Sequence, residues 1–418
     1  MLAGAAIVDI TPPAGLMMSG YAARTQPAIG SHDPLTARAI AVGDTAIVVA
    51  DVIGLHEDSC ARIRSRCVLP DDRVVVIATH THGGPVSMAG RGGTSFDAAY
   101  LAHLEDGCVE AINRAVAEQR AATLSAGLGD NPGVAFNRRH DDGVTDPTVP
   151  VLRIDGIDGR PIAILTAHAC HPVVLAAYNR QYTADFPHYV REALELADPG
   201  IVAVFLTGCA GDISTGHSPH SSISTVATAD RTYAEAERLG SKIAASALAA
   251  KLHRLDGEVT AMARSVALDF ERNETMPLPV LAAEWRAKAA ESDPAWATLY
   301  DCWADWAGTI ALHPLKPWTG KVTVLDWAGA RLSFTPGEMF AQSALNVRGD
   351  AARVHFVNGL ADGVPGYIPP ETEYRFGGYE VLEAHRYYGL PAAFAPGSAE
   401  RLEAAAIELN AGLDRALP

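Results

Sequence analysis

Apolar positions in this chain alternate between two spacings, short β-branched blocks and longer stretches with a helical repeat, throughout residues 1–255. AIAVGDTAIVVADV (39–52) predicts a hairpin turned at Gly-Asp, and VVVIAT (74–79) a buried strand. The stretch 95–119 spaces its apolar residues as an amphipathic helix does. PVLRID (150–155), PIAILTAHA (161–169) and IVAVFLTG (201–208) read as further strands, with helices over 187–197 and 232–252 between and after them. Strands alternating with helices predict an α/β fold, with a mixed, mostly parallel central sheet flanked by helices. Residues 1–255 would then form the main part of one α/β domain. Residues 256–322 differ in texture, carrying Trp285, Trp296, Trp303, Trp306 and Trp318 among acidic residues, and predict a helical Trp-rich insertion or cap. The β pattern resumes at TVLDWAGARLSFTPGEMF (323–340), and a final helix over 398–417 completes 323–418 as the remainder of the domain.

Composition narrows the function classes. A chain of 418 residues with 48% hydrophobic and 20% charged positions has ordinary globular composition. The formal charge of −16, without a Lys/Arg-rich run, argues against a nucleic-acid or anionic-membrane partner. Six scattered cysteines without CxxC spacing form neither a disulfide framework nor a zinc ribbon. The N-terminal MLAGAAIVDITPP has no basic leader, Asp9 interrupts its apolar stretch, and no segment has the length of a membrane span, so a cytoplasmic protein is expected. Its partner would be a small molecule, with a homo-oligomer left open.

Candidate chemistry gathers at predicted strand ends. VVVIATHTHGGP (74–85) runs from a strand into His80 and His82, which at i and i+2 face one side if the strand continues. LTAHACHP places His168 and His171 after a second strand, TGCAGDIS places Asp212 after a third, and FTPGE places Glu338 after a fourth. His80, His168 and Glu338 would supply a His2Glu set of the kind zinc takes when one position stays open for water or substrate. His-x-His also occurs as a hydrogen-bonded core pair, and fifteen histidines leave other choices open.

The order of motifs resembles that of the neutral/alkaline (non-lysosomal) ceramidase family of zinc-dependent amidases. VDITPPAG, MSGYAARTQPAIGSHDPLTARAIAV, VVADVIGL, ATHTHGGP, AFNRR, LTAHACHP, YTADFP, TGCAGDIS, FTPGEMF and GYIPPETEYRFGGYE carry the resemblance, over roughly residues 5–390. It implies one zinc ion held by His80, His168, Glu338 and Tyr367. His82, Arg138 and Tyr379 match the family's polar residues around the scissile amide, and Tyr379 falls twelve residues after Tyr367, in the family's register. His171 has no counterpart in that pattern and reads as a core or loop histidine. Asp51, Asp185 and Asp212 read either as partners of metal-bound imidazoles or as caps.

The implied reaction is hydrolysis of a C–N amide bond through a metal-activated water, with zinc, Arg138 or Tyr379 stabilising the oxyanion and His82 or Tyr379 protonating the amine. Two departures from the family bear on substrate. The chain is expected to do without the family's C-terminal immunoglobulin-like domain, and the linker from Glu338 to Tyr367 is shorter by about ten residues, so a small or medium soluble amide is expected rather than ceramide. The rivals are a zinc esterase or lactonase on the same scaffold, a TIM-barrel amidohydrolase, and a non-catalytic zinc-stabilised binding protein.

Overall fold

The β-branched blocks pair as their patterning requires, and the hairpins dominate the result. The computed structural model describes residues 1–91, 95–224, 226–349 and 353–416. Leu2–Asp9, Thr36–Val42 and Thr45–Ala50 run antiparallel in that order, and Val74–Ala78 adds in parallel. Arg120–Gly129, Val149–Gly156 and Pro161–Ala167 form a second antiparallel run, with Val202–Leu206 added in parallel. His253–Arg254 adds to Arg120–Gly129, and Leu2 and Ala3 pair with Ala121 and Arg120, so the two runs, called the first and second sheets, are continuous as one nine-stranded mixed sheet. The α/β class stands, but antiparallel pairs outnumber parallel ones, against the expectation of a mostly parallel sheet. Short turns such as Gly43–Asp44 leave no room for the crossover helix that a parallel neighbour needs.

A third sheet, Val259–Leu268, Trp318–Trp327, Ala330–Phe334 and His355–Asn358, closes on the inner faces of the first two. One apolar cluster holds residues from all three, including Ile40, Ile77, Leu152, Leu206, Trp327 and Phe334. Helices cover the outer faces. Helices α1 (Glu57–Arg66) and α2 (Ala98–Ala117) pack on the first run, and α3 (Phe186–Ala197) and α4 (Tyr233–Ala249) on the second.

The Trp-rich stretch contains α5 (Leu278–Glu291) and α6 (Pro294–Gly308), which pack on each other around Leu281, Trp285, Leu299 and Trp303. Asp293 caps α6 by accepting from the Ala295 and Trp296 amides, and Pro294 opens its first turn. The stretch 256–322 is not helical throughout. Val259–Leu268 pairs residue by residue with Trp318–Trp327, so the helical hairpin is an excursion between two neighbouring strands. The short α7 (Ala341–Arg348), α8 (Tyr379–Leu382) and the long α9 (Ser398–Ala416) complete the described chain; Leu417, included in the expected last helix, lies outside it.

Candidate active site

Strand ends from all three sheets converge on one buried spot. The strand Val74–Ala78 stops two residues before His80, which takes a left-handed backbone with φ 66°. The His80 and His82 rings, 5.2 Å apart, are therefore brought together by a turn and not by the pleat of a strand. That conformation is costly for a residue with a side chain and persists only where its surroundings over-determine it. The His80 amide donates to the Val52 carbonyl at 3.0 Å, and His80 Nδ1 lies 2.6 Å from the Ile53 carbonyl.

His171 supplies the second imidazole. Its Nδ1 lies 2.6 Å from the Ala210 carbonyl and 3.0 Å from that of Ile213. A carbonyl can only accept, so each Nδ1 carries the proton and each Nε2 presents a lone pair. The two Nε2 atoms are 3.2 Å apart, and each is 3.2 Å from Glu338 Oε2. Glu338 reaches this position through a two-residue parallel pairing that sets Glu338 opposite Tyr367, whose hydroxyl is 3.5 Å from His171 Nε2. Burial alone would raise the Glu338 carboxyl, but His80 and His171 hold it well below the usual carboxylate range. Burial also pushes His171 down, to about 4, with Arg138 adding to the effect.

Two imidazole lone pairs and a carboxylate turned toward one another in a dry interior repel unless a cation or proton lies among them. Imidazole and carboxylate are the donor types zinc takes, so the donor set fits such an ion. His80, His82 and His171 also offer ring nitrogens that all lie within 4.8 Å of one another. His82 differs from the other two: both its ring nitrogens are buried without a hydrogen-bond partner. Desolvation, with His80 and His171 adjacent, keeps its pKa well below the ordinary histidine value, so it is neutral at pH 7.

The structure does not bring His168 into this group. The His168 amide still follows the sheet, donating to the Leu206 carbonyl, and its Nδ1 lies 3.3 Å from the Thr148 carbonyl. His168 directly follows the strand that ends at Ala167, whereas His171 lies past that pairing, with its amide on the Ile213 carbonyl, and reaches Glu338. The position expected for His168 is thus held by His171, the residue read as core. A pair of histidines three apart after a strand was the only signal, and it does not say which one turns inward.

Arg138 lies behind Tyr367. It donates to the Tyr367 hydroxyl at 3.0 Å and the Gly211 carbonyl at 2.8 Å, and pairs with Glu380 at 3.0 Å. Arg138 is therefore committed to orienting Tyr367 and lacks the free fork an oxyanion clamp needs. Tyr379, at the start of α8, packs edge-on to Tyr367 with ring centres 5.6 Å apart. Burial raises the Tyr379 phenol, which stays protonated. Sequence reasoning missed Tyr388, whose hydroxyl donates to Glu338 Oε1, and Glu380, the anchor of Arg138.

The carboxylates have backbone duties. Asp185 caps α3 and accepts from the Val174 and Leu175 amides, and Asp212 accepts from the Ala341 amide and Asn137. Desolvation raises each of them to about 6. Asp51 is paired with Arg191 at 2.8 Å. Glycine is required where the chain crosses the site: a Cβ on Gly20, at φ +99°, would sit 2.5 Å from the His82 ring.

A cavity of about 320 Å³ opens onto this cluster. His82, Tyr367, Tyr379 and Tyr388 line its inner end, and Trp285, Trp296, Tyr300 and Trp303 of the helical hairpin line its outer end.

A family model described as neutral/alkaline non-lysosomal ceramidase, N-terminal, matches residues 1–225, more than half of the chain. Neutral ceramidase from Pseudomonas aeruginosa superposes with a TM-score of 0.77 at 20% identity, over 100% of this chain and 75% of that one. A ceramidase complexed with C2 gives 0.76 at 19% identity, over 100% of this chain and 76% of that one. At such identities the likeness speaks to the fold. No curated protein matches the chain.

Proposed function

Because the chain belongs to the neutral/alkaline non-lysosomal ceramidase family, we propose that it is a zinc-dependent hydrolase cleaving the C–N amide bond of a small or medium soluble N-acyl substrate. The observation that carries this reading is the convergence of the His80 and His171 lone pairs on Glu338 at 3.2 Å, beside Tyr367 and at the inner end of a cavity. His80, His171, Glu338 and Tyr367 would hold one zinc ion. When bound, zinc lowers the pKa of a coordinated water toward neutrality and polarises a carbonyl.

The remaining groups have separable tasks. Neutral His82, with two unpartnered nitrogens, takes up the proton released when water attacks the amide carbon and returns it to the departing amine nitrogen. Tyr379, still protonated, donates a hydrogen bond to the carbonyl oxygen as charge develops there. Arg138 acts through Tyr367, fixing its hydroxyl. The aromatic walls exclude water and strengthen each of these interactions.

The cavity volume supports a compact substrate. About 320 Å³ lies at the small end of the range for small-molecule pockets, roughly 300–1,000 Å³, and disfavours a long-chain sphingolipid. No helix among the described residues is long and apolar enough to cross a membrane. Cytoplasmic residence belongs to the same proposal, in keeping with six cysteines that all stand free.

The test is a comparison of kcat/KM for a short N-acyl amide, its matched ester and detergent-solubilised ceramide, with and without chelation. Amide turnover that is lost on chelation and restored by zinc is expected, with ceramide the poorest of the three. Ceramide as the best substrate would refute the substrate claim, and ester turnover with no amide turnover would make the protein an esterase.

A further inference from the structure

Four rings of the helical hairpin, Trp285, Trp296, Tyr300 and Trp303, line the outer end of the cavity beside Leu299, Cys302 and Ile223, and they are packed against one another and their neighbours. Trp285 and Trp303 meet edge to face at 5.5 Å and 66°, and Tyr300 meets Trp303 at 5.8 Å and 80°. Tyr379 and Tyr387, 6.3 Å apart, continue this lining, and Tyr387 packs against the hairpin's own cluster. The tryptophans are immobilised from behind. The Arg386 guanidinium lies 4.9 Å from the Trp285 ring centre, 4.7 Å from that of Trp303 and 5.5 Å from that of Trp306. Trp306 Nε1 in turn donates to the Leu390 carbonyl at 2.7 Å.

We propose that this space is an aromatic slot that selects amides carrying a flat aromatic ring on one side of the scissile bond. The inference rests on the amidase reading above and names the substrate class within it. Ring faces carry partial negative charge and ring edges partial positive charge, so a planar aromatic guest gains edge-to-face contacts that a saturated ring of the same size does not. The slot is already formed, so a rigid guest gives up little freedom on entering, whereas a flexible alkyl chain must be ordered at a cost. The volume of about 320 Å³ admits a ring with a short linker and excludes a long chain. Among the described lining residues, Lys288 and Glu383 are the lysine and the glutamate, and the rings outnumber them.

The experiment measures kcat/KM for two matched pairs. One pair, N-propyl phenylacetamide and N-propyl cyclohexylacetamide, places the ring on the acyl side. The other, N-benzyl butanamide and N-(cyclohexylmethyl) butanamide, places it on the amine side. The aromatic member of at least one pair should be favoured about 2- to 12-fold, the range a single aromatic contact supplies. That ratio should fall toward one in Trp303→Leu and in Trp296→Leu. Trp296 is only half-buried, so its variant keeps the test valid should the Trp303 variant fail to fold. Equal or inverted ratios in both pairs would overturn the slot. If wild-type protein hydrolyses no amide, the functional proposal fails instead. Calorimetric titration then still decides the slot: phenylacetate or benzylamine binding more tightly than its cyclohexyl counterpart supports it, and equal binding in both cases overturns it.

Discussion

Two histidines three residues apart, alike in sequence context, have opposite fates. His171 Nε2 meets Glu338 while His168 turns to the Thr148 carbonyl, so the substitutions separate cleanly. His171→Ala should abolish zinc retention and His168→Ala should leave stoichiometry near one, as read by elemental analysis. Zinc lost from the His168 variant and kept by the His171 variant would reverse the assignment. His82 tests the division between binding and proton transfer. His82→Ala should keep its zinc and lose about 10²–10⁴-fold in kcat, the range for a missing acid/base group. Loss of zinc from that variant would instead favour a three-histidine site of His80, His82 and His171. Both His80 and His171 anchor Nδ1 on carbonyls, an outer contact that fixes tautomer and ring direction. His82 has no such anchor on either nitrogen, and freedom of tautomer suits a group that takes a proton at one moment and gives it at another.

The helical hairpin α5–α6 holds its own apolar cluster and meets the rest of the site through few fixed points. Arg386 is one, lying against three indoles while its Nη2 is 3.7 Å from Glu274. Each cation–π contact is worth about 0.5–2 kcal/mol depending on how dry it is. Arg386→Leu keeps apolar bulk but removes these contacts and takes the guanidinium away from Glu274, which keeps His385 beside it. Limited proteolysis should therefore cut within 278–312 faster in this variant, with the rest of the chain protected as before. Unchanged cleavage would show that helix packing alone holds the cap. The arrangement also places Tyr387 and Tyr388 directly after Arg386, so the residue that anchors the cap precedes one cavity wall and one hydrogen-bond donor to Glu338.

At the scale of the whole molecule, one acidic group ties distant segments together. Glu57, in the first turn of α1, pairs with Arg91 at 2.7 Å and accepts from Trp318 Nε1 at 2.8 Å in the third sheet. Burial opposes its ionisation, but Arg91 and Trp318 outweigh burial and hold its carboxyl down to about 2. A carboxyl depressed in the folded state stabilises fully above its unfolded value near 4.5, and that contribution is lost as pH falls toward 2. Glu57→Gln should therefore cost about 1–3 kcal/mol at pH 7, the range for a charge-assisted hydrogen bond left unmade. Denaturation curves of both proteins should converge as pH drops toward 2. A constant difference across that window would mean that packing, and not charge, is what the glutamine disturbs.

By itself the sequence determined most element types and the placing of chemistry at strand ends, and it marked the Trp-rich stretch without the two strands that flank its helices. These are local properties, readable from apolar spacing, turn residues and short motifs. It singled out His80, His82 and Glu338 at predicted strand ends, whereas Tyr367 came only from the family resemblance. Strand direction was not legible, because a β-branched block looks the same whether its neighbour runs with it or against it. The choice of His171 over His168 belonged to the tertiary structure as well. It depends on where the Pro161–Ala167 strand ends against Val202–Leu206, and on the carbonyls of Ala210 and Ile213, which carry no side-chain signature. Tyr388 and Glu380 became visible only once the third sheet and its following loop closed over the first two. A side chain's partner across hundreds of residues is set by how the sheets pack, and no local pattern encodes it.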